Sequence, residues 1–256
     1  QALTRDTIAP MPLDICVAHS QGGIAYLLVQ AMENALREAG SSRHVACLLT
    51  QVEVDPDDPA FDNPSKPIGT FYDQQQAERI EADLGWQMKE DAAHRWRHVV
   101  PSPKPKHICD ISLIQVLAGR GTVVIAGGGG GIPVIRGPKG VRQGVQAVID
   151  KDLTSAHMAN VLGIELLVIL TAVPKVSSHF GDSRQKDLDQ VTMREVRRLH
   201  SEGHFPPGSM GPKIDAALRF LDGGGKRVII TQLEEAMSAL RGETGTHIVA
   251  DHELPV

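Results

Sequence analysis

The chain has 256 residues, 41% of them hydrophobic and only 4% aromatic, which is enough for one large α/β domain with an aliphatic core. Its formal net charge of −5, without a long basic run, argues against nucleic-acid binding, and its most apolar segment, residues 162–173, is too short to span a bilayer. The three cysteines are widely spaced and odd in number, so we predict reduced thiols in a cytoplasmic protein rather than a disulfide framework or a zinc ribbon.

The first half of the chain predicts a helix and a strand, followed by an excursion from the main sheet. Apolar residues recur every three or four positions from Gly22 to Gly40, which predicts a helix, and residues 44–52 predict a strand. Four prolines between Asp55 and Gly69 exclude regular structure throughout that segment. A helix is predicted over residues 73–84, and a proline-rich extended run comes after it. Residues 53–103 are therefore interpreted as the excursion.

The second half alternates regularly between helices and strands. Helices are predicted at residues 111–117, 150–162, 192–201, 212–221 and 234–240, and strands at residues 122–126, 166–170 and 227–231. Strands that are apolar throughout indicate a mainly parallel sheet that is covered by helices on both faces. Ligands of such sheets bind beyond the carboxyl ends of the strands, so we expect the functional residues in the loops there.

Five consecutive glycines, Gly127 to Gly131, directly follow the predicted strand at residues 122–126. Such a run loses much conformational entropy on folding, and what it gains is backbone N–H groups that can surround an anion without interference from side chains. A flexible turn is the alternative, but the position after a buried strand favours anion binding. Ile132-Pro133 does not begin a helix, so the loop is not a dinucleotide fingerprint, and no glycine loop ends in Gly-Lys-Ser or Gly-Lys-Thr.

Charged residues open two of the predicted helices. Asp150, Lys151 and Asp152 precede an apolar helix, where they either cap the helix and face solvent or stabilise charge during phosphoryl transfer. Lys213 follows Gly211-Pro212 and would lie at the positive end of a helix dipole. That position is unfavourable for a lysine unless an anion binds there, so Lys213 is a candidate functional residue.

Two pairs of histidines have a spacing that could hold a metal ion. His94 with His98, and His200 with His204, are four residues apart, which would place each pair on one face of a helix. No third ligand is evident near either pair, so a metal site is not favoured.

Several strings of residues, in the right order along nearly the whole chain, are similar to those of carbamate kinases within the amino-acid kinase family. The strings are Gln51-Val52-Glu53-Val54-Asp55, Pro64-Ser65-Lys66-Pro67-Ile68-Gly69, Val99-Val100-Pro101-Ser102-Pro103-Lys104-Pro105, Gly128 to Pro133, Ala147 to Asp152, Pro207 to Lys213 and Gly242 to Thr246. Several of them are specific to carbamate kinases within the wider family, so a chance match is excluded.

The resemblance implies a fold and an activity. The fold would be a three-layer αβα sandwich with an open, mainly parallel sheet, forming one domain over residues 1–256 with a protruding substrate lobe over residues 53–103. The activity would be reversible phosphoryl transfer between ATP and carbamate, giving ADP and carbamoyl phosphate, with Mg²⁺ entering with the nucleotide. The family is usually dimeric, so we expect a cytoplasmic homodimer that binds these small molecules and neither nucleic acid nor a membrane.

The resemblance also implies roles for individual residues. Lys66 would reach from the lobe towards the substrate or phosphate. Lys151 and Lys213 would stabilise the transferring phosphoryl group, and Asp152 would organise the lysines. The glycines that would line the substrate and phosphate site are Gly128, Gly129, Gly130 and Gly131. The residues that would bind the nucleotide are Thr171, Ala172, Met210 and Lys213.

The sequence departs from the family pattern in three places. The family usually opens with a strand and two glycine loops that help to bind phosphate and carbamate, and neither loop is in this sequence, so we expect that an N-terminal segment is missing and that the chain without it is incompetent. Ala172 replaces an Asp, Ser177 replaces a Tyr, and His179 replaces an Asn. The loss of the Asp and the Tyr is expected to weaken nucleotide binding. Residues 93–98 depart from a Gly- and Arg-rich stretch on the substrate side.

Three functions remain open on the sequence alone. The first is an active carbamate kinase. The second is a kinase-like paralogue that acts on another small carboxylate or carbamate, for which residues 93–98 are the distinguishing feature. The third is a catalytically inactive structural or regulatory subunit, for which Ala172 is the best support.

Overall fold

A computed structural model of the protein describes residues 11–91, 94–206 and 208–251. The chain divides into two compact units, unit 1 (Gln1–Lys151) and unit 2 (Asp152–Val256). The boundary between them falls inside the Asp-Lys-Asp segment, and each unit has sheets and helices of its own.

Unit 1 consists of three helices and nine short strands among the residues described. The helices are α1 (Leu13–Glu38), α2 (Gln74–Leu84) and α3 (Ile111–Gly119). The strands are β1 (Val45–Cys47), β2 (Gln51–Val54), β3 (Lys66–Tyr72), β4 (Met88–Glu90), β5 (Trp96–Val100), β6 (Pro105–Ile108), β7 (Val123–Ile125), β8 (Ile132–Arg136) and β9 (Arg142–Gly144).

Three sheets organise unit 1. Strand β2 pairs in parallel with β8 and antiparallel with β6, in a four-stranded sheet of order β6-β2-β8-β9. Strands β1 and β7 form a separate parallel pair, and β3, β5 and β4 form an antiparallel sheet within the predicted excursion. The five glycines connect β7 to β8, so they lie beyond the carboxyl end of a parallel strand, as the sequence predicts.

Helix α1 begins nine residues before the predicted start at Gly22, so that boundary was wrong. Its inner face carries Val17, Gln21 and Ala25, spaced four residues apart, while Ile24 and Leu27 are about 60% exposed on other faces. The helix is also long and apolar enough to cross a membrane, with a mean hydropathy of 1.2. This corrects the expectation that no segment reaches that length, by length and composition only. In the structure 17% of the apolar window is buried.

The predicted helix over residues 73–84 is confirmed, and the residues at its two ends explain why it could be predicted from the sequence. The Asp73 carboxylate accepts a hydrogen bond from the Gln76 N–H, and the Gln76 side chain accepts one from the Asp73 N–H, which is a capping box. Gly85 ends α2 in the left-handed conformation. The helix is flanked by β3 and β4, and the interpretation of residues 53–103 as a protruding subdomain stays a prediction, of which residues 92 and 93 lie outside the described part.

Unit 2 follows the predicted alternation. Its helices are α4 (Lys151–Val161), which begins at the unit boundary, α5 (Met193–Ser201), α6 (Met210–Asp222) and α7 (Ala236–Leu240). Its strands are β10 (Leu166–Thr171), β11 (Val176–Ser178), β12 (Lys186–Leu188), β13 (Gln190–Thr192), β14 (Arg227–Gln232) and β15 (Thr246–Val249).

The core of unit 2 forms between one sheet and the helices α4, α5 and α6. The sheet has the order β10-β14-β15-β13, with β10 and β14 parallel over six residue pairs. Val228 and Ile230 of β14 are fully buried, and they belong to one apolar cluster with Val196 of α5 and with Ile214 and Phe220 of α6. This packing fixes the start of α6 near the carboxyl end of β10, where the sequence predicts a ligand.

Most predicted elements are confirmed, and the differences have local causes. The predicted strand at residues 44–52 is two strands, because the Thr50 N–H donates to the Gln21 side chain instead of to a neighbouring strand. Helix α6 begins at Met210, two residues before the predicted start at Pro212. Strands such as β11, β12 and β13 were not predicted, because three residues with polar members give no readable periodicity.

Candidate active site

Lys66 and Asp150 form an ion pair within unit 1. Lys66 is the first residue of β3, where it pairs with Val100 of β5, and Asp150 directly precedes α4. The Lys66 Nζ lies 2.6 Å from the Asp150 Oδ2, and the side chains are 31% and 10% exposed. A buried carboxylate therefore holds the ammonium group in one place while leaving part of it accessible.

The shape of the glycine loop requires glycine at two positions for packing. Gly130 and Gly131 have φ angles of 97° and 95°. A Cβ atom at Gly130 would lie 2.0 Å from the Ile149 carbonyl oxygen, and one at Gly131 would lie 2.2 Å from the Val52 Cγ2. Both glycines are buried, so they let β2 and the segment before α4 approach the loop closely.

The backbone N–H groups of the glycine loop differ in whether they already have a partner in the protein. The N–H groups of Gly127, Gly130 and Gly131 donate to groups inside unit 1. Gly128 and Gly129 are exposed, and their N–H groups donate to no protein group within the part of the chain that the structure describes. The predicted cradle for an anion is therefore narrowed to these two N–H groups, next to each other at the surface of the loop.

Gln21 holds this loop, and the sequence analysis missed it. Its side chain is only 4% exposed. The Oε1 accepts from the Thr50 N–H at 2.8 Å, and the Nε2 donates to the Gly128 carbonyl oxygen at 2.8 Å and to the Thr50 carbonyl oxygen at 3.3 Å. The signal that could have revealed it is an amide on the inner face of an apolar helix, four residues from Val17 and from Ala25.

Lys213 and Asp152 form a second ion pair, within unit 2. Lys213 lies in the first turns of α6, and its Nζ is 3.2 Å from the Asp152 Oδ2 in the first turn of α4. The side chains are 13% and 9% exposed, so both charges are removed from most of the solvent. Asp152 therefore holds the ammonium group of Lys213 in place, and its predicted role as organiser of the lysines in catalysis stays a prediction.

A cavity of about 390 Å³ opens beside Lys213 and is lined by all four residues that were predicted to bind the nucleotide. Thr171 ends β10, Ala172 follows it, and Met210 and Lys213 begin α6. The volume is within the range of small-molecule sites, and the position beyond the carboxyl end of β10 is where parallel sheets bind ligands. The structure thus brings these four residues together.

The walls of this cavity suit a ligand with one flat apolar end and one anionic end. Val173, Phe180 and Pro206 supply apolar surface, and Lys213 supplies a cation. Lys175 also lines the cavity and binds Asp189, which raises the pKa of Lys175 and lowers that of Asp189. A nucleotide has this distribution of charge, so the residues present fit such a group.

Two of the substitutions noted in the sequence lie in this cavity. Ala172 is exposed there and offers no carboxylate. Ser177 donates its hydroxyl to the Asp187 carboxylate at 2.6 Å, so a polar pair occupies the position of the aromatic ring expected from the family. His179 lies outside the cavity wall, next to Phe180, and residue 93 lies outside the described residues.

Lys151 is the first residue of α4 and is exposed at its surface. Lys66 belongs to unit 1 with Asp150, and Lys213 belongs to unit 2 with Asp152. The joint action of these three lysines on one phosphoryl group stays a prediction.

The histidine pairs do not form metal centres in the described residues. His200 Nε2 lies 2.9 Å from an Asp215 oxygen, and His204 Nε2 lies 3.2 Å from a Glu202 oxygen. Across residues 11–91, 94–206 and 208–251, no three His, Cys, Asp or Glu side chains are placed to hold one ion.

Comparison with known proteins gives consistent results. Residues 16–232 match the model of the amino acid kinase family. Carbamate kinase from Pyrococcus furiosus is 46% identical over 242 residues, which are 94% of this chain and 77% of that protein. The carbamate kinase-like protein YahI from Escherichia coli is 50% identical over 96% of this chain and 78% of its own length.

A solved structure agrees with these relatives. Carbamate kinase from Giardia lamblia bound to AMP-PNP matches with a TM-score of 0.86 and 41% identity. The match covers 98% of this chain and 79% of that one. Sequence and structure therefore point to the same family.

Proposed function

The chain belongs to the amino acid kinase family, and from that premise we propose that it is a carbamate kinase, which transfers a phosphoryl group reversibly between ATP and carbamate to give ADP and carbamoyl phosphate. The observation that carries the proposal is the buried Lys213–Asp152 pair, whose lysine lines a nucleotide-sized cavity at the end of β10. Relatives named carbamate kinase, 46% identical over most of the chain, support it.

The nucleotide is assigned to the cavity of unit 2. Its base would contact the apolar wall formed by Val173, Phe180 and Met210, and its phosphates would lie towards Lys213. The structural relative from Giardia lamblia was solved with AMP-PNP, a nucleotide analogue, which supports the choice of ligand class. Mg²⁺ is proposed to enter bound to the nucleotide phosphates, where it would neutralise part of their charge.

The lysines are assigned to charge neutralisation, which is the main task of a protein in phosphoryl transfer. Lys213 would stabilise the negative charge of the transferring group while Asp152 holds its ammonium group in position. Lys66, oriented by Asp150, and Lys151 are proposed to act on the same charge. Little covalent chemistry is required of the chain beyond this positioning.

Carbamate is assigned to the glycine loop of unit 1. The adjacent N–H groups of Gly128 and Gly129 are the available donors, and Gln21 fixes the loop by accepting from Thr50 and donating to Gly128. Gly130 and Gly131 would shape the site through their close packing rather than through their own N–H groups. A planar anion with two oxygens matches two neighbouring donors.

We also propose that the protein is a homodimer in the cytoplasm. Helix α1 exposes Ile24, Tyr26 and Leu27 to 59%, 66% and 62%, an apolar surface that a second copy of the chain would cover. Among the described residues, Cys16, Cys47 and Cys109 form no disulfide, which fits a reducing compartment.

A second candidate is a kinase of this fold that acts on another small carboxylate or carbamate. The observation that favours it is the 50% identity to a relative named only as carbamate kinase-like. Both candidates use the same nucleotide site, so they differ in the acceptor alone.

The test is ATP formation from ADP and carbamoyl phosphate by the full-length protein. We expect turnover that depends on both substrates and on Mg²⁺. Absence of turnover with carbamoyl phosphate, together with ATP consumption when other small carboxylates are supplied, would support the second candidate. Absence of any ATP or ADP binding would leave an inactive subunit as the function.

A further inference from the structure

One hydrogen bond joins two segments that both contribute residues to the lining of the cavity in unit 2. The first segment is the loop between β11 and β12, which carries Phe180 and Gln185 into the wall. The second is the segment after α5, which carries Pro206 and leads to Met210. The His179 backbone N–H, in the first segment, donates to the Nδ1 of His204 in the second at 3.2 Å.

The backbone at His179 needs this support. Its φ angle is 51°, in the left-handed region that side chains with a Cβ atom rarely adopt. The turn that follows is closed by a hydrogen bond from the Asp182 N–H to the His179 carbonyl oxygen, and Phe180 lies at its tip. The imidazole of His204 also packs edge-on against that of His179, with 4.1 Å between ring centroids. Two contacts therefore hold the strained residue.

The geometry fixes the tautomer of His204. Because Nδ1 accepts a hydrogen bond from an N–H group, it carries no proton, and the ring proton is on Nε2. That Nε2–H group donates to the Glu202 carboxylate at 3.2 Å. Glu202 is in turn held by Arg198 at 2.9 Å. The side chain of His204 is only 12% exposed, so the imidazole is held in one orientation, with Nδ1 as its hydrogen-bond acceptor.

We infer that His204 is a positioning residue for nucleotide binding, because its Nδ1 holds the Phe180 loop at the distance from the α6 wall that a nucleotide needs. This inference rests on the proposed function of the cavity. His204 itself is absent from the cavity wall, so it acts through His179 and Phe180 rather than by contact with the ligand. Replacement of the acceptor should weaken ADP binding without a comparable loss in the rate at saturation.

The test compares two substitutions at residue 204. His204→Phe keeps an aromatic ring but removes the acceptor, whereas His204→Asn places an amide oxygen where Nδ1 was. ADP is titrated into each protein by calorimetry, and exchange of the His179 amide proton is followed by NMR without nucleotide. We expect the ADP Kd and KM to rise about tenfold for His204→Phe, with kcat nearly unchanged, and less than threefold for His204→Asn. The His179 amide should exchange faster only in the first variant.

Two further variants make the test specific. His200→Phe changes a histidine of α5 that binds Asp215 and stacks on Phe205, a stacking that a phenyl ring can keep. No contact between its side chain and residues 179–185 is seen in the described part of the chain, so ADP affinity should stay at the wild-type value. Glu202→Gln weakens the orientation of the His204 ring, so it should raise Kd in the same direction as His204→Phe but by less. If His204→Phe does not fold, the ADP Kd of Glu202→Gln still tests the inference.

The outcomes separate this inference from the proposed function. A His204→Phe protein that binds ADP like the wild type, with an equally protected His179 amide, would overturn the inference and leave the nucleotide site intact. A wild-type protein that binds no ADP would overturn the proposed function, and the inference with it.

Discussion

The ammonium group of Lys213 lies 3.2 Å from the carboxylate of Asp152, and neither side chain is more than 13% exposed. Lys213 also lies in the first turns of α6, where the helix dipole disfavours a positive charge. Asp152 offsets that cost in the free protein, and an anionic ligand in the adjoining cavity would add to the compensation. An arrangement that is unfavourable for stability but suited to a ligand is typical of a functional site.

Removal of this ammonium group should abolish most of the activity. Lys213→Ala is expected to lower kcat for ATP formation by about two orders of magnitude or more, because a fixed cation is lost where charge develops. The rate is measured with ADP and carbamoyl phosphate, and far-UV circular dichroism checks the fold. Lys226→Ala is the matched control, since Lys226 pairs with Glu165 at the surface and should keep normal turnover.

Near-normal turnover of Lys213→Ala would remove Lys213 from the mechanism. Equal losses in Lys213→Ala and Lys226→Ala would indicate a general effect of charge instead.

Lys66 should behave in the same way in unit 1. Lys66→Ala is expected to reduce kcat by about two orders of magnitude, because the partly accessible ammonium group that Asp150 holds in place is lost. Lys106→Ala is the control, since Lys106 pairs with Asp55 where both side chains are exposed. If Lys66→Ala instead lost its fold and Lys106→Ala did not, the loss of activity would be explained by a packing role for Lys66.

The four predicted glycines should separate into two classes. Gly130→Ala is expected to destabilise the protein by about 3 kcal/mol or more, because the new Cβ would lie 2.0 Å from the Ile149 carbonyl oxygen at a φ of 97°. Gly128→Ala should be tolerated much better, since its Cβ would lie 3.2 Å from the Gln21 Cγ and Gly128 does not have a positive φ angle. Urea unfolding of both variants measures the difference, and equal midpoints would contradict the assigned packing role.

Gln21 should contribute to stability as well as to the shape of the loop. Gln21→Leu leaves the Thr50 N–H and the Gly128 carbonyl oxygen without their partner, which we expect to cost about 2–3 kcal/mol. Gln30→Leu, an exposed glutamine of the same helix, is the control and should change the free energy of unfolding by less than about 0.5 kcal/mol. Similar unfolding curves for both variants would refute the role of Gln21.

His98 should make stability depend on pH. Burial lowers the pKa of His98 below its usual 6.5, and its ring stacks on Trp86 with 4.1 Å between centroids. The unfolded chain therefore takes up a proton at a higher pH than the folded chain, so the contribution of His98 to stability is complete above pH 6.5 and is lost as the pH falls below it.

The measurement is the urea midpoint at pH 7.5 and pH 5.5. His98→Phe keeps a ring against Trp86 and removes the titration, so its midpoint should fall less between the two pH values than that of the wild type. His44→Asn, at an exposed histidine of unit 1, should leave the wild-type difference unchanged. An identical fall in wild type and His98→Phe would show that the group does not titrate in this range.

Much of the fold was predictable because the signals are local. Helix α2 follows from Asp73, Gln76 and Gly85, which are neighbours in sequence and fix both ends of the helix. The apolar strands β10 and β14 were equally predictable from their composition. Lys213 was predicted from its place at the start of a helix, whereas Thr171, Ala172 and Met210 were assigned from the resemblance to the family.

The sequence by itself determined the family, the alternation of helices and strands, and the candidate catalytic lysines. All of these depend on the spacing of residues or on strings of neighbouring residues along the chain. Only the tertiary structure decided that Asp150 partners Lys66, 84 residues away, and that Gln21 holds Gly128 across 107 residues. It also decided which glycines are needed for packing and which leave an N–H group available. Such pairings depend on how distant segments pack against one another, and no periodicity or capping signal along the chain records that.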